Sequence, residues 1–543
     1  MKKILMASGL VLLLLTGCSS SKEAEPVSET KKIVHFTEPA ELLTLDTTQE
    51  EDFTSFNAQN QVLEGLYQLN EKDETIPAVA KELPIISEDK QTYTISLRKD
   101  AKWSNGETVT AKDFLYAWRR AVTPETAPSY ASLFVSSIKN AEAIYQGEMA
   151  PEKLGVEIPD DYTLVVHLIK PIPYFTSLLT FETFFPINEE FAKKQGTSYG
   201  TSSETTLYNG PFLLAGWTQN SDTWSYVKNP DYWDAKNVAM DEIKTTVVKS
   251  TSTAVNLYQT DELDRVVLDG EFSKQYKNDA DFQNQNDTKV GYLRFNQGSG
   301  KALENQSLRK AIALSINREE FVENILGDGS IAATGFVPKN FVENPKTGED
   351  FRTESGTQQK FDKEAATDAW KQAKSELGVK ELNLVYLTKD TDTEKKIAEY
   401  LAGQISEVLP GLTLEITTLP SNNLQDRYLS GDYDLVFGQW MPDFKDPITY
   451  LDMFESTSGL NHVNYSNSKY DALIQAAMTT DASDEEKRWS DLLEAERLLL
   501  AEDYTIAPIY QQQTALLQNK KVTGVVKHAF GSPYSFKYIR LEK

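Results

Sequence analysis

Residues 93–120 read YTISLRKDAKWSNGETVTAKDFLYAWRR. In 92–98, Tyr93, Ile95 and Leu97 alternate with polar neighbours, which predicts a strand with one buried face. Asn105-Gly106 is a turn signal. Thr110 reads as a helix N-cap with Asp113 at the third position, so a helix should run toward Arg120. Strand, turn and capped helix in one stretch predict a mixed α and β fold.

The same reading extends outward. Residues 162–169 (YTLVVHLI) form another strand, stopped by Pro171 and Pro173. Ile397, Tyr400, Leu401, Ile405 and Val408 keep helical spacing, and Pro410-Gly411 ends that element. Ser483 with Glu486 opens a helix carrying Trp489, Leu492, Leu493 and Leu499. A chain of 543 residues is too long for one core, so two or three domains are expected. Its formal charge of −26 repels nucleic acid and anionic headgroups and suits a soluble, monomeric body.

At the N-terminus Lys2 and Lys3 precede an apolar run from Ile4 to Leu15, then Leu15-Thr16-Gly17-Cys18. The run is shorter than the roughly 20 residues of a membrane helix and has the anatomy of a secretory signal (1–17). Small residues before a cysteine resemble the bacterial lipobox, which implies lipidation of Cys18 and attachment to a membrane. Cys18 is the one cysteine of the chain, so no intrachain disulfide can form. Residues 18–32 read as a polar tether. Residues 19–31 would reach roughly 40 Å at about 3.3 Å each.

Catalytic motifs fail on context. Gly196-Thr197-Ser198-Tyr199-Gly200 fits G-x-S-x-G, but a polar helical stretch precedes it where a nucleophile elbow needs a buried strand. Gly298-Ser299-Gly300-Lys301 lacks the first glycine and the Ser/Thr of a P-loop. His35, His167, His462 and His528 share no metal-ligand spacing, and His167 falls on the solvated face of a strand. No reaction, cofactor or metal is predicted.

The 93–120 stretch, LEGLY (63–67), TAPSYAS (126–132), YNGPF (208–212), KNPDYWD (228–234), LRKAIALSINR (308–318), DFKDP (443–447) and APIY (507–510) together resemble the oligopeptide-binding lipoproteins of bacterial ABC importers, the peptide-type extracytoplasmic solute-binding family. Some relatives there bind signalling peptides (sex pheromones). The resemblance implies an α/β, periplasmic-binding-protein-like two-lobed fold with an inserted domain and a two-strand hinge near 292 and 510. It implies a first lobe of 33–63, 190–292 and 511–543, an inserted domain of 64–189 and a second lobe of 293–510. The implied partners are an oligopeptide, the permease and ATPase subunits of an importer, and the extracellular face of a Gram-positive cell membrane. The 93–120 signature then belongs to the inserted domain as structure.

The resemblance also assigns a site. Asp443 matches an aspartate that receives the ligand's α-ammonium group, with Trp440 nearby. A carboxylate inside a closed cleft needs a partner, and a free peptide N-terminus supplies one. Gln439, Trp440 and Met441, and Glu51, Asp52, Phe53 and Thr54, match segments that pair with the peptide backbone. Tyr130 matches a tyrosine whose hydroxyl contacts that backbone, and Asn461 is a further polar candidate. Asp446, before Pro447, reads as turn-forming. Where some relatives carry an arginine that helps bind the peptide C-terminus, this chain has Phe437, and Tyr428 falls near another basic site of theirs. That departure suits longer or more apolar peptides, including hydrophobic signalling peptides. The competing readings are the same fold holding haem, a nickel complex or a sugar, and a cell-surface peptidase.

Overall fold

The computed structural model describes residues 31–49, 52–126 and 130–542. Cys18, the signal and most of the tether lie outside them, as does Glu51. Among the described residues no helix is long and apolar enough to cross a membrane.

The 93–120 stretch folds as its pattern dictates. Strand Thr92–Ser96 buries Tyr93 and Ile95, and helix Ala111–Val122 follows. The Thr110 N–H donates to Asp113 Oδ2 at 2.7 Å, closing a capping box that satisfies donors a helix start leaves free. The helix buries Phe114 and Trp118, and the Trp118 indole N–H donates to the Phe184 carbonyl at 2.9 Å. The strand sits in an antiparallel sheet ordered Ile85–Ile86, Thr92–Ser96, Thr163–His167, Val156–Asp160. His167 is half-buried there, its Nε2 3.1 Å from Glu157 Oε1.

A second four-stranded sheet runs Ile33–Glu38, Glu242–Val247, Thr223–Lys228, Phe212–Ala215, its first pair parallel and the rest antiparallel. The largest sheet is ordered Arg265–Val267, Ile506–Gln518, Phe282–Phe295, Leu435–Trp440, Leu382–Lys389, Leu412–Leu419, with Ile331–Ala332 also on Ile506–Gln518. Its two long strands pair antiparallel, and the register shifts between Asn286 and Val290 and again between Gly291 and Tyr292. Gly291 is required at that step: a Cβ there would lie 2.3 Å from the Tyr510 ring. The expected crossing near 292 and 510 falls on this irregular pair.

Helix Asp392–Val408 buries Ile397, Leu401 and Ile405 in a core shared with the large sheet. The helix expected from Ser483 begins one residue later, Glu485–Arg497, because the Asp484 carboxylate accepts from the Lys487 N–H at 3.2 Å and so takes the cap. Residues 196–198 form a short 3-10 turn after helix Glu189–Gln195, and no strand precedes them. Two large apolar cores result. One draws on residues 34–243, 290–351, 444–506 and 522–539, the other on 293–321 and 366–437 with Ala507, Ile509 and Tyr510.

Candidate functional site

Strand Leu435–Trp440 delivers the candidate segment into the loop 441–447. One edge pairs with Phe282–Phe295 along its whole length, from Leu435 opposite Phe295 to Trp440 opposite Val290. On the other edge only Leu435 and Val436 have partners, in Leu382–Lys389. From Phe437 onward that edge carries no strand among the described residues, so its backbone groups are open to an added strand. The Gln439 side chain folds back instead, its Nε2 donating to the Tyr510 hydroxyl at 2.6 Å. Trp440 is half-buried, and its indole N–H is buried without an acceptor among the described residues.

Asp443 follows in the loop, half-buried. Burial pushes its carboxyl up to about 7. No hydrogen bond or ion pair from the described residues reaches that carboxylate. Asp452, from the turn Asp452–Phe454, is also pushed up to about 7, by burial first and then by Asp443, Asp446 and Glu455. Lys170 lies near these acids; burial lowers it, and Glu455 and Asp452 draw it back up. Lys170 and Arg488, the latter already paired with Asp446, stand against Asp443, Asp446, Asp452 and Glu455, which leaves this corner short of positive charge.

The loop is held rigidly around that deficit. Asp446 makes a two-pronged ion pair with Arg488, 2.8 Å at each oxygen, and accepts from the Ile448 N–H at 2.9 Å. It is the turn residue expected, with a buried charge pair in addition. Phe444 stacks on Tyr174, ring centroids 4.0 Å apart and 5° from parallel. The Tyr450 hydroxyl donates to the Thr288 carbonyl at 2.6 Å, tying the next helix to the long strand.

The second expected segment has a different form. Asp52 is extended (φ −126°, ψ 151°) and caps a helix, accepting from the Ser55 N–H at 3.0 Å. Phe53 and Thr54 are the first turn of that helix, Phe53–Val62, and not strand residues. Phe53, Thr54 and Met441 nevertheless meet, lining one cavity of about 440 Å³ together with Glu38, Arg265 and Lys289. Burial raises Glu38 to about 7 against the Asn57 hydrogen bond and Arg265. A larger hollow of about 850 Å³, lined by Lys81 and residues 96–100 and 160–163, contains none of the candidate residues.

Tyr130 packs edge-on to Phe56 at 5.5 Å and against Phe181 at 5.0 Å, beside the start of that helix. Asn461 is engaged within its own loop: its Nδ2 donates to the Glu455 and Tyr465 carbonyls, and its Oδ1 accepts from the Tyr465 N–H. Its amide is thereby spent on the 455–465 loop. Sequence reading did not single out Asp452, Lys170 or Tyr174. Only DPITYLDMF (446–454), which sets Asp452 one short helix beyond the loop, hinted at the first. Among the described residues no cluster of three metal-ligating side chains occurs.

The strand edge that is open from Phe437 onward leads directly to the loop that carries the Asp443 carboxylate. Residues 74–462 match the family model of bacterial extracellular solute-binding proteins, family 5, middle region, and the chain belongs to that family. A dipeptide-binding protein of Lactococcus lactis subsp. cremoris is 32% identical over 98% of this chain and 97% of its own length. The solved structure of Listeria monocytogenes OppA bound to peptide is 39% identical, covers 94% of this chain and 99% of that one, and has a TM-score of 0.79. The pheromone receptor PrgZ is 38% identical over 95% of this chain and 100% of its own, with a TM-score of 0.80. The fold is therefore the two-lobed, periplasmic-binding-protein-like α/β architecture.

Proposed function

We propose that this protein captures oligopeptides outside the cell and delivers them to an ABC permease, held at the membrane by a lipid on Cys18. The observation that carries the reading is Asp443: a half-buried carboxylate with no partner among the described residues, following a strand edge that has no neighbour among them. Burying an unpaired charge is costly, and a peptide α-ammonium supplies the missing partner. The peptide backbone adds to the free edge from Met441 back toward Phe437, which recognises any sequence through its amides. The relatives named for dipeptide and oligopeptide binding support this ligand class.

By this reading residues 33–63, 190–292 and 511–543 form one lobe, 64–189 the inserted domain and 293–510 the other lobe. The irregular pair Phe282–Phe295 and Ile506–Gln518 forms the hinge. Closure needs a ligand that prefers the closed form, because equal affinity for both forms shifts nothing. The Tyr174–Phe444 stack joins the inserted domain to the anchor loop, so contacts of that loop report closure.

The test is titration of ligand-freed protein with five-to-nine-residue peptide pools, free or N-acetylated, with recovery of the peptides afterward. Tighter binding of the free pool and intact recovered peptide support capture through the amine. Equal binding of both pools removes Asp443 as the anchor. Cleaved peptide would make the protein a peptidase. Binding of neither pool, with haem, a nickel complex or a sugar found in the native protein, would replace peptide as the ligand. The lipid on Cys18 is checked by the mass of the cell-derived N-terminal fragment against that of a Cys18→Ala variant.

A further inference from the structure

Arg294 is a cation beside the candidate strand that no carboxylate among the described residues pairs with. It lies on the long strand Phe282–Phe295, opposite Val436 in register, and is half-buried. Its guanidinium sits 4.8 Å from the Tyr428 ring and 4.9 Å from the Tyr292 ring, and its Nε donates to the Tyr292 hydroxyl at 3.0 Å. Gly438 yields space for it: a Cβ there would stand 2.4 Å from Arg294 Nε. The oxygens around it are the hydroxyls of Tyr292, Tyr428 and Tyr433, and no carboxylate of the described residues pairs with it. His462 faces the same group; burial and then the guanidinium lower its affinity for a proton.

Arg265 resembles it, bonded to Gln285 Oε1 and the Tyr534 hydroxyl over the Tyr534 ring, but three other deeply set arginines are served differently. Arg352 pairs with Glu496 at 2.6 Å and Arg488 with Asp446 at 2.8 Å. Arg318 donates to the Pro508, Ile316 and Ala313 carbonyls and to Gln359. Arg294 has one hydrogen bond and an aromatic bed, which orients a planar fork without filling it. The aromatic bed includes Tyr428, which falls near a basic site of some relatives. The charge is present after all, supplied from a neighbouring strand.

We infer that Arg294 receives a carboxylate of the bound peptide, either its C-terminus or an acidic side chain. The inference rests on the peptide reading above. Gly438, beneath the guanidinium, is five residues from Asp443, at most about 17 Å of extended chain. A peptide of roughly five residues anchored by its amine at Asp443 therefore reaches Arg294 with its C-terminus. Longer peptides reach it with a side chain.

The test uses four five-to-nine-residue peptide pools, with free-acid or amidated C-termini, each made with or without Asp and Glu. If the C-terminus is the source, wild type binds the neutral free-acid pool at least ten-fold more tightly than its amide. If a side chain is the source, the same margin separates the acidic amide pool from the neutral one. Arg294→Gln should level the difference while binding the neutral amide pool as wild type does, a selective loss that a merely structural role would not give. If that variant fails to fold, Arg294→Lys, with charge but no fork, should keep the preference at reduced size. Equal affinity of wild type for all four pools, or undiminished preference in Arg294→Gln, overturns the inference and leaves the peptide reading intact. Binding of no pool overturns both.

Discussion

Asp443 and Asp446 stand three residues apart on one loop and have opposite surroundings. Asp446 is buried against Arg488 with two 2.8 Å contacts and a backbone N–H, whereas Asp443 has no partner among the described residues and is pushed up to about 7. The difference separates structure from function: a satisfied buried charge holds a loop, and an unsatisfied one waits for a ligand. Arg488 and Arg294 repeat the contrast among cations.

Removing Arg488 should be the most damaging way to break the contrast. Arg488→Ala leaves Asp446 buried alone and should cost roughly 3–5 kcal/mol of stability, read by urea unfolding. Asp443→Asn should instead leave the ligand-free protein as stable or more so at pH 8. A carboxyl whose folded pKa is raised to about 7 loses stability as pH climbs from the ordinary carboxylate range through 7, and the amide does not. Equal losses in the two variants would erase the distinction.

Gly438→Ala is expected to come next. Its methyl would stand 2.4 Å from Arg294 Nε and displace the guanidinium, an overpacking cost of about 1–3 kcal/mol in stability. Its peptide affinity should fall only for carboxylate-bearing pools. Tyr174→Leu should have the smallest effect, about 0.5–1.5 kcal/mol of peptide affinity, because it removes the stack on Phe444 while keeping apolar bulk. Calorimetric titration of each variant checks both, and a Tyr174→Leu loss as large as that of Asp443→Asn would shift the weight of binding from anchor to closure.

Local elements were legible because their causes are local. The alternation Tyr93-Ile95-Leu97 and the Thr110–Asp113 box give their strand and helix within two residues. Ser483 was misplaced by one because Asp484 beside it is an equal candidate, and only backbone direction selects between them. Phe53 and Thr54 are helical because Asp52, followed by Ser55, is a strong N-cap, a cue that resemblance alone overrode. Asp443 was singled out through the resemblance of DFKDP, but its lack of a partner among the described residues was not legible, since partners come from distant chain. Arg294 was illegible for the same reason. Charge looked absent at Phe437 and Tyr428, and only the register of Arg294 on Val436 shows a guanidinium on the neighbouring strand.

Calorimetry across pH 5–9 decides whether Asp443 is an anion that receives the peptide amine. Below about 7 the free carboxyl holds a proton that an arriving ammonium must displace, and above roughly 8 the peptide amine itself begins to lose its charge. The account predicts affinity for free peptides that rises from pH 5 to 7, declines above 8, and is accompanied at pH 6 by release of a proton. Asp443→Asn should flatten the acid limb and lose about 2–5 kcal/mol at pH 7.5. A wild-type profile that is flat from pH 5 to 7, with no proton released and no loss in Asp443→Asn, would contradict it.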